Sequence, residues 1–248
     1  MNPLILGIET STLSCSVALF SASGIHFAEQ FSEERHVHAS RLLPLIDRAL
    51  SETGHTVSDL AAVAVCAGPG SYTGLRIGVS TAKGLCHAKN LPLIAVNSLE
   101  IQAYGVFKRT GNSGFVPTTV VAVMDARRDE VYTQTFRLEG DRVVPLDATR
   151  ALVLEEHIPL NQLFPQAAAD TVVIGDAALK TQSLLGDRGA SWTYLEAFPE
   201  AQWLATPSLH AFSQRMFEDV AYFEPRYLKE FQAGMPKDPL GLRKSVAS

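Results

Sequence analysis

The sequence predicts an α/β fold of two related lobes. Three observations predict it. The N-terminal apolar runs are short, β-branched and separated by polar turns, as in a β-meander. From residue 36 onward, segments with a 3.6-residue apolar period alternate with short apolar runs, the order of strand and helix in an α/β unit. After a polar, glycine-containing stretch at 108–117, a second hairpin-led half begins.

In order, residues 4–8, 15–20 and 25–31 read as three strands, antiparallel because the turns between them are short. The segment 36–53 changes period. Leu42, Leu45, Ile46, Ala49 and Leu50 fall on one helical face, Leu43 lies off it, and Pro44 interrupts the backbone bonding. Residues 58–67 supply a short helical turn and a strand. A glycine-rich loop leads into a helix over 74–89, with Leu75, Val79, Ala82 and Cys86 on its buried face and small residues (Gly78, Ser80, Ala82, Gly84, Ala88) that admit another helix. Asn90-Leu91-Pro92 stops it, 93–96 is a strand, and Ser98 caps a helix running to about residue 107. In the second half, 119–124 and 131–138 form a hairpin across Asp125-Ala126-Arg127-Arg128-Asp129, a turn leads into Val143-Val144, and 172–175 is a buried strand. Short helices are expected at 155–157 and 161–164. An amphipathic helix is expected at 208–220, with Leu209, Phe212, Met216 and Phe217 on one face. The lobes divide as 1–108 and 118–231, followed by a flexible tail at 232–248.

The chain has 248 residues, 46% of them hydrophobic and 19% charged, enough for an ordinary globular core. A net charge of −5 without a long basic run argues against strong direct binding to nucleic acid, which needs clustered Lys and Arg. Three scattered cysteines form no C-x-x-C pair and read as buried, reduced thiols. No leader and no membrane-length apolar run is visible, which points to the cytoplasm.

The loop Gly68-Pro69-Gly70-Ser71-Tyr72-Thr73-Gly74 sits between a strand and a helix, the layout that aims backbone N–H groups at an anion. Neither phosphate code is complete. The lysine that follows the last glycine of a Walker loop is replaced by Leu75, and the third glycine of a dinucleotide fingerprint by Thr73. The loop therefore either holds an anion or lets strand and helix pack closely. Glu9, Thr10, Ser11 and Thr12 could offer a carboxylate and hydroxyls to Mg²⁺ or phosphate, or form a plain turn. His36-x-His38 faces two sides of a helix and lacks further ligands, so a metal is disfavoured. Ser80-Thr81-Ala82-Lys83 matches S-x-x-K without its companion motifs and is set aside. The charges of Asp125-Ala126-Arg127-Arg128-Asp129-Glu130 suit a solvated hairpin tip or a partner contact.

Taken together, Ile8-Glu9-Thr10-Ser11-Thr12, Arg41-Leu42-Leu43-Pro44-Leu45-Ile46-Asp47, the glycine loop through Gly78, Ala82-Lys83-Gly84-Leu85, Val96-Asn97-Ser98-Leu99-Glu100 and Met124-Asp125-Ala126-Arg127-Arg128-Asp129-Glu130 resemble the bacterial TsaB (YeaZ) family. Pro225-Arg226-Tyr227-Leu228 resembles its C-terminal motif. The resemblance implies a two-lobed actin-like, sugar-kinase-like (ASKHA) fold, each lobe a mixed sheet flanked by helices. It implies a scaffold or regulatory subunit required, with a TsaD-type catalytic subunit and a TsaE-type ATPase, for transfer of a threonylcarbamoyl group to tRNA. tRNA would be reached only through that complex, and a homodimer is the alternative assembly. It also implies a partner interface on the two first-lobe helices, at Arg41, Leu42, Leu43, Leu45, Ile46 and Ala49 and at Arg76, Val79, Ala82 and Lys83. The catalytic relative holds a metal through H-x-x-x-H. Here Ser98 and Gln102 stand at those places, which implies no metal and no catalysis. With Glu9, Thr10, Ser11, Thr12, Gly68, Gly70, Ser71, Thr73 and Gly74 as a vestigial phosphate loop, nucleotide binding is at most weak and no cofactor is tightly held. An ATP-dependent phosphotransferase of the same fold is the competing expectation. A metallopeptidase is disfavoured by the missing histidines.

Overall fold

The first apolar runs form β1 (Ile5–Glu9), β2 (Ser14–Ser21) and β3 (Gly24–Ser32), an antiparallel meander. The computed structural model describes residues 2–32, 38–110 and 117–229; His36, the stretch 111–116 and the tail 232–248 lie outside the described residues. Helix α1 (His38–Glu52) buries Leu42, Leu45, Ile46, Ala49 and Leu50 and turns Leu43 outward at 60% exposure. It runs through Pro44, which lies on the outward side. A 3-10 turn (Val57–Asp59) leads to β4 (Ala62–Cys66), then α2 (Tyr72–Lys89), β5 (Leu93–Val96) and α3 (Ser98–Thr110).

The glycine loop opens α2 two residues earlier than the sequence predicts, because Ser71 Oγ accepts the Gly74 N–H at 3.2 Å and caps it. Asn90 ends it in the left-handed region at φ 51°. The expected cap of α3 moves by one residue. Asn97 Oδ1 accepts the Leu99 N–H at 2.8 Å, while the Ser98 hydroxyl shares a hydrogen bond with Cys66 Sγ at 2.7 Å.

The second half contains β6 (Thr119–Asp125), β7 (Glu130–Glu139), β8 (Arg142–Pro145), β9 (Arg150–Val153), α4 (Leu160–Leu163), β10 (Val172–Gly175), α5 (Ala178–Leu185), β11 (Thr193–Glu196) and α6 (Ala205–Ser213). No helix forms at 155–157, which is a turn. The expected helix at 208–220 starts earlier and stops at Ser213. There Arg215 takes φ 55°, and Met216 N–H closes back on the Ala211 carbonyl at 2.9 Å. This is the reversal that glycine normally makes after a helix, so an arginine in that place hides it from the sequence. Met216 and Phe217 consequently stand exposed rather than on a buried helical face.

The sheet orders are β3-β2-β1-β4-β5 and β11-β10-β6-β7-β8, with β9 paired to β7. Each sheet has a central strand (β1 or β6) flanked by an antiparallel neighbour (β2 or β7) and a parallel one (β4 or β10), so the halves repeat one topology. Side-chain alternation divides the core into three. Leu6, Ile8, Val63 and Val65 face α1 and α2. Val121, Val123 and Val173 lie in the cluster that includes Ala178 and Leu185 of α5. Ile5, Ala62, Ala64, Val120, Ala122 and Ile174 point into a shared middle layer, which α3 fills with Leu99, Ile101, Ala103 and Val106. Helix α3 therefore belongs by sequence to the first lobe and packs chiefly on the second sheet, against β6, β7, β8 and β10, with Trp203 against its Gly105.

Candidate functional site

The C-terminal ends of the parallel strands are where open α/β sheets present their functional loops. On the first sheet these ends carry Glu9, residues 67–74 and Asn97. On the second they carry Asp125 and Gly175-Asp176. The repeated topology makes Glu9 the counterpart of Asp125, and glycines of positive φ stand near the ends of the equivalent strands β4 and β10, Gly68 (99°) two residues past the first and Gly175 (150°) closing the second.

The structure brings the two expected halves of the phosphate loop together and fills the space between them with protein. Ser71 N–H donates to the Ser11 carbonyl at 2.6 Å. A Cβ on Gly70 would strike the Ser11 carbonyl oxygen, one on Gly74 the Thr10 carbonyl oxygen, and one on Gly78 the Thr10 hydroxyl. The glycines thus permit the loop and the 9–12 turn to touch backbone to backbone. Ser71 N–H and Gly74 N–H are thus both bonded within the chain, while Glu9 Oε2 and the Thr10 and Ser11 hydroxyls are buried without a hydrogen-bond partner among the described residues. Glu9 is fully buried, and its Oε1 accepts the Ser11 N–H at 2.5 Å. Burial pushes its carboxyl up to about 7, against the opposing pull of Ser11 and Cys66. Thr10, Ser11 and Thr12 are buried beside it, and Thr73 is exposed on the first turn of α2.

The second sheet closes in a similar way. Asp125 Oδ1 pairs with Lys180 Nζ at 2.6 Å and accepts the Arg127 N–H at 3.0 Å, while Asp125 N–H donates to Asp176 Oδ1 at 3.0 Å. Burial raises the Asp176 carboxyl to about 6. Arg127 and Arg128 occupy the hairpin tip at φ 72° and 51°.

The Ser98 and Gln102 side chains are both fully buried. Ser98 bonds to Cys66, and Gln102 Nε2 donates to the Ala197 carbonyl at 3.1 Å. A hydroxyl and a neutral amide are poor transition-metal ligands beside imidazole, and Gln102 Oε1 is buried without a hydrogen-bond partner among the described residues. Among the described residues no cluster of His, Cys, Asp and Glu could hold a metal ion, and His38 Nε2 lies 3.1 Å from the Ser14 carbonyl oxygen.

The residues expected at a partner interface divide. Leu42, Leu45, Ile46, Ala49, Val79 and Ala82 converge, but in the chain's own core between α1, α2 and the first sheet, because the sheet needs that stripe to cover it. Arg41 and Leu43 lie on the exposed side. The Arg76 guanidinium sits over the Tyr72 ring at 4.6 Å, and Lys83 Nζ donates to the carbonyls of Ala221 and Phe223 at 3.2 and 2.9 Å. The exposed face of α2 instead carries Ser80, Gly84 and Ala88, each one turn apart.

Lys83 marks a feature that sequence reasoning missed, a strap at 218–229. Glu218 N–H donates to the Leu93 carbonyl at 2.9 Å, Phe223 is buried among the α1 and α2 side chains, and Arg226 N–H donates to the Ala67 carbonyl at 2.7 Å. Tyr227 packs on Tyr72 at 4.8 Å, and Lys229 pairs with Glu130 of the second lobe. The Pro225-Arg226-Tyr227-Leu228 motif was its one signal in the sequence.

A family model described as TsaD, tRNA N6-adenosine threonylcarbamoyltransferase, matches residues 32–232. The tRNA threonylcarbamoyladenosine biosynthesis protein TsaB of Escherichia coli is 29% identical over 226 residues, 91% of this chain and 94% of that protein. The tRNA N6-adenosine threonylcarbamoyltransferase of Sphingopyxis alaskensis is 38% identical over 112 residues, covering 39% of this chain and 33% of that protein. The solved structure of YeaZ from Pseudomonas aeruginosa superposes with a TM-score of 0.76 at 28% identity, covering 91% of this chain and all of that one. Among the described residues no helix is long and apolar enough to cross a membrane.

Proposed function

The chain belongs to the TsaD family of tRNA N6-adenosine threonylcarbamoyltransferases, in its TsaB (YeaZ) branch, and from that premise we propose that it serves tRNA threonylcarbamoyladenosine synthesis as a non-catalytic partner subunit. Its two mixed sheets flanked by helices are the actin-like, sugar-kinase-like architecture. One observation carries the non-catalytic reading. The places of the catalytic relative's histidine pair hold Ser98 and Gln102, and both side chains are turned into the core onto Cys66 and Ala197. The closure of residues 9–12 against the glycine loop supports a chain that needs no tightly bound nucleotide.

The partner is a TsaD-type catalytic subunit, joined by a TsaE-type ATPase, in the cytoplasm where tRNA is modified. tRNA is reached through that assembly, since a net charge of −5 gives this chain little attraction for phosphate. The docking surface consists of the outward faces of α1 and α2. Leu43, Pro44 and Asp47 stand exposed on one, and Ser80, Gly84 and Ala88 on the other, where small side chains let a facing helix come close.

The test is co-purification with the catalytic relative, followed by a modification assay with and without this chain. Leu43→Arg is expected to weaken the complex by at least about tenfold, as a charge in an apolar contact does, while the variant stays folded. Leu45→Arg would test nothing, because Leu45 is 3% exposed in the core. Unchanged affinity of Leu43→Arg would remove α1 from the interface. Modification at full rate without this chain would overturn the functional reading.

A further inference from the structure

A cavity of about 150 Å³ opens at the seam of the two lobes, away from the glycine loop. Its apolar floor is made by Val96 of β5, Val143 of β8 and Ala211 of α6. Glu100, on the first turn of α3, and Arg142, at the start of β8, line the same cavity. These two opposite charges face one space without pairing. No ion pair within 4.0 Å and no hydrogen bond joins either side chain to another described residue. The guanidinium nevertheless pulls the Glu100 carboxyl down across the gap, while burial, the larger effect, holds it up at about 7. Arg226 acts on Glu100 in the same direction as Arg142, but its guanidinium is turned to Glu218 at 3.8 Å. His210 stands on the α6 wall and Tyr104 on the α3 wall, where its hydroxyl accepts the Val143 N–H at 3.4 Å.

A partly buried carboxyl and an exposed guanidinium that line one cavity without pairing are complementary to a ligand that carries both charges and a short hydrocarbon body. A cavity of about 150 Å³ is the size that takes a molecule like benzene, enough for a small metabolite and too little for a whole nucleotide. We propose that this cavity binds a small zwitterion of the α-amino-acid class, its ammonium on Glu100, its carboxylate on Arg142 and its side chain against Val96, Val143 and Ala211. Neither a simple anion nor a simple amine satisfies both walls. The site is independent of the tRNA-modification reading, since binding is measured on the isolated full-length chain.

Full-length protein would be titrated with L-alanine, L-valine and L-threonine, and with propionate and propylamine as single-charge controls, followed by calorimetry and methyl NMR. At least one amino acid should saturate and shift the Met216, Val96 and Val143 methyl signals. Propionate and propylamine should each bind about tenfold more weakly, the cost of leaving one charged contact unmade. Glu100→Gln and Arg142→Gln should each weaken the amino acid by about the same factor, and Arg137→Gln, at an exposed pair with Glu139, should not. No saturable binding by any of the three amino acids would overturn the proposal. So would propionate binding as tightly as its amino-acid counterpart, or shifts confined to methyl groups remote from the cavity.

Discussion

Glu9 ends β1 with no exposed surface, and the consequence can be read in stability against pH. Burial lifts its carboxyl from an ordinary 4.5 to about 7. Between those values the folded chain keeps a proton that the unfolded chain has released. The group's contribution to stability is therefore complete below about pH 4.5 and is lost as pH rises through 7. Glu9→Gln keeps the shape and removes the ionisation. It should match the parent near pH 4.5 and exceed it by about 3 kcal/mol at pH 8, because each pH unit between the unfolded and folded titrations is worth ~1.4 kcal/mol. Urea unfolding at the two pH values measures this; an equal difference at both would mean that Glu9 does not titrate on folding. Glu100 and Asp176, raised to about 7 and about 6, act in the same direction, so the variant keeps part of the slope. The residue types at 9–12 were legible as a polar turn. Their direction was not. Strand parity puts Glu9 with Ile5 and Gly7, but only Ala201 and Leu204, far on in the chain and packed on that face, turn it into an interior.

Helix α2 shows glycine used in two opposite ways within one element. Gly74 and Gly78 face inward, where an added methyl would meet Thr10. Gly84 is exposed, with nothing within 4 Å of its Cβ position. Gly74→Ala must displace the 9–12 turn and should cost at least about 2 kcal/mol, as forced overpacking does. Gly84→Ala should stabilise the isolated chain by about 1 kcal/mol through helix propensity alone. If α2 docks through its Ser80-Gly84-Ala88 face, the same Gly84→Ala should weaken the complex. Thermal denaturation and partner titration of both variants test this, and Gly84→Ala binding with parental affinity would move the contact elsewhere. Elements such as α1 and α2, with long runs at a clean helical period, were legible to within a few residues. Strands β9 and β11 do not show in the sequence, because four residues carry too little alternation to stand out. Helix α5 did carry its pattern, with Ala178, Thr181 and Leu185 buried at helical spacing, but its mixed Lys180-Thr181-Gln182-Ser183 interior obscured it.

At the scale of the whole molecule, the two-lobed plan follows from the alternation of apolar periods, whereas the strap that ties the lobes does not. Its residues have no period because each contact is made differently. Glu218 bonds to the edge of the first sheet, Phe223 plugs the α1–α2 cluster, Arg226 reaches the strand before the glycine loop, and Lys229 crosses to Glu130 and lies over the Tyr132 ring. Of these anchors Phe223 buries the most apolar surface, and Lys83 holds the carbonyls on either side of it. The strap should therefore open as one unit when Phe223 is truncated, because the remaining backbone bonds are too few to hold ordered chain against its entropy. Phe223→Ala is expected to cost about 3 kcal/mol. It should also raise hydrogen exchange at the Glu218 and Arg226 amides together, leaving the β4 amides protected. Lys83→Ala, which removes only the two carbonyl contacts, should give the same pattern at about 1–2 kcal/mol. If Glu218 exchanges faster while Arg226 does not, the segment is two separate anchors and the lobes are tied by the Arg226–Lys229 end alone. If the two amides move together, the segment 218–229 is a single clasp, held to α2 through Lys83 and Tyr72 and to the second lobe through Lys229.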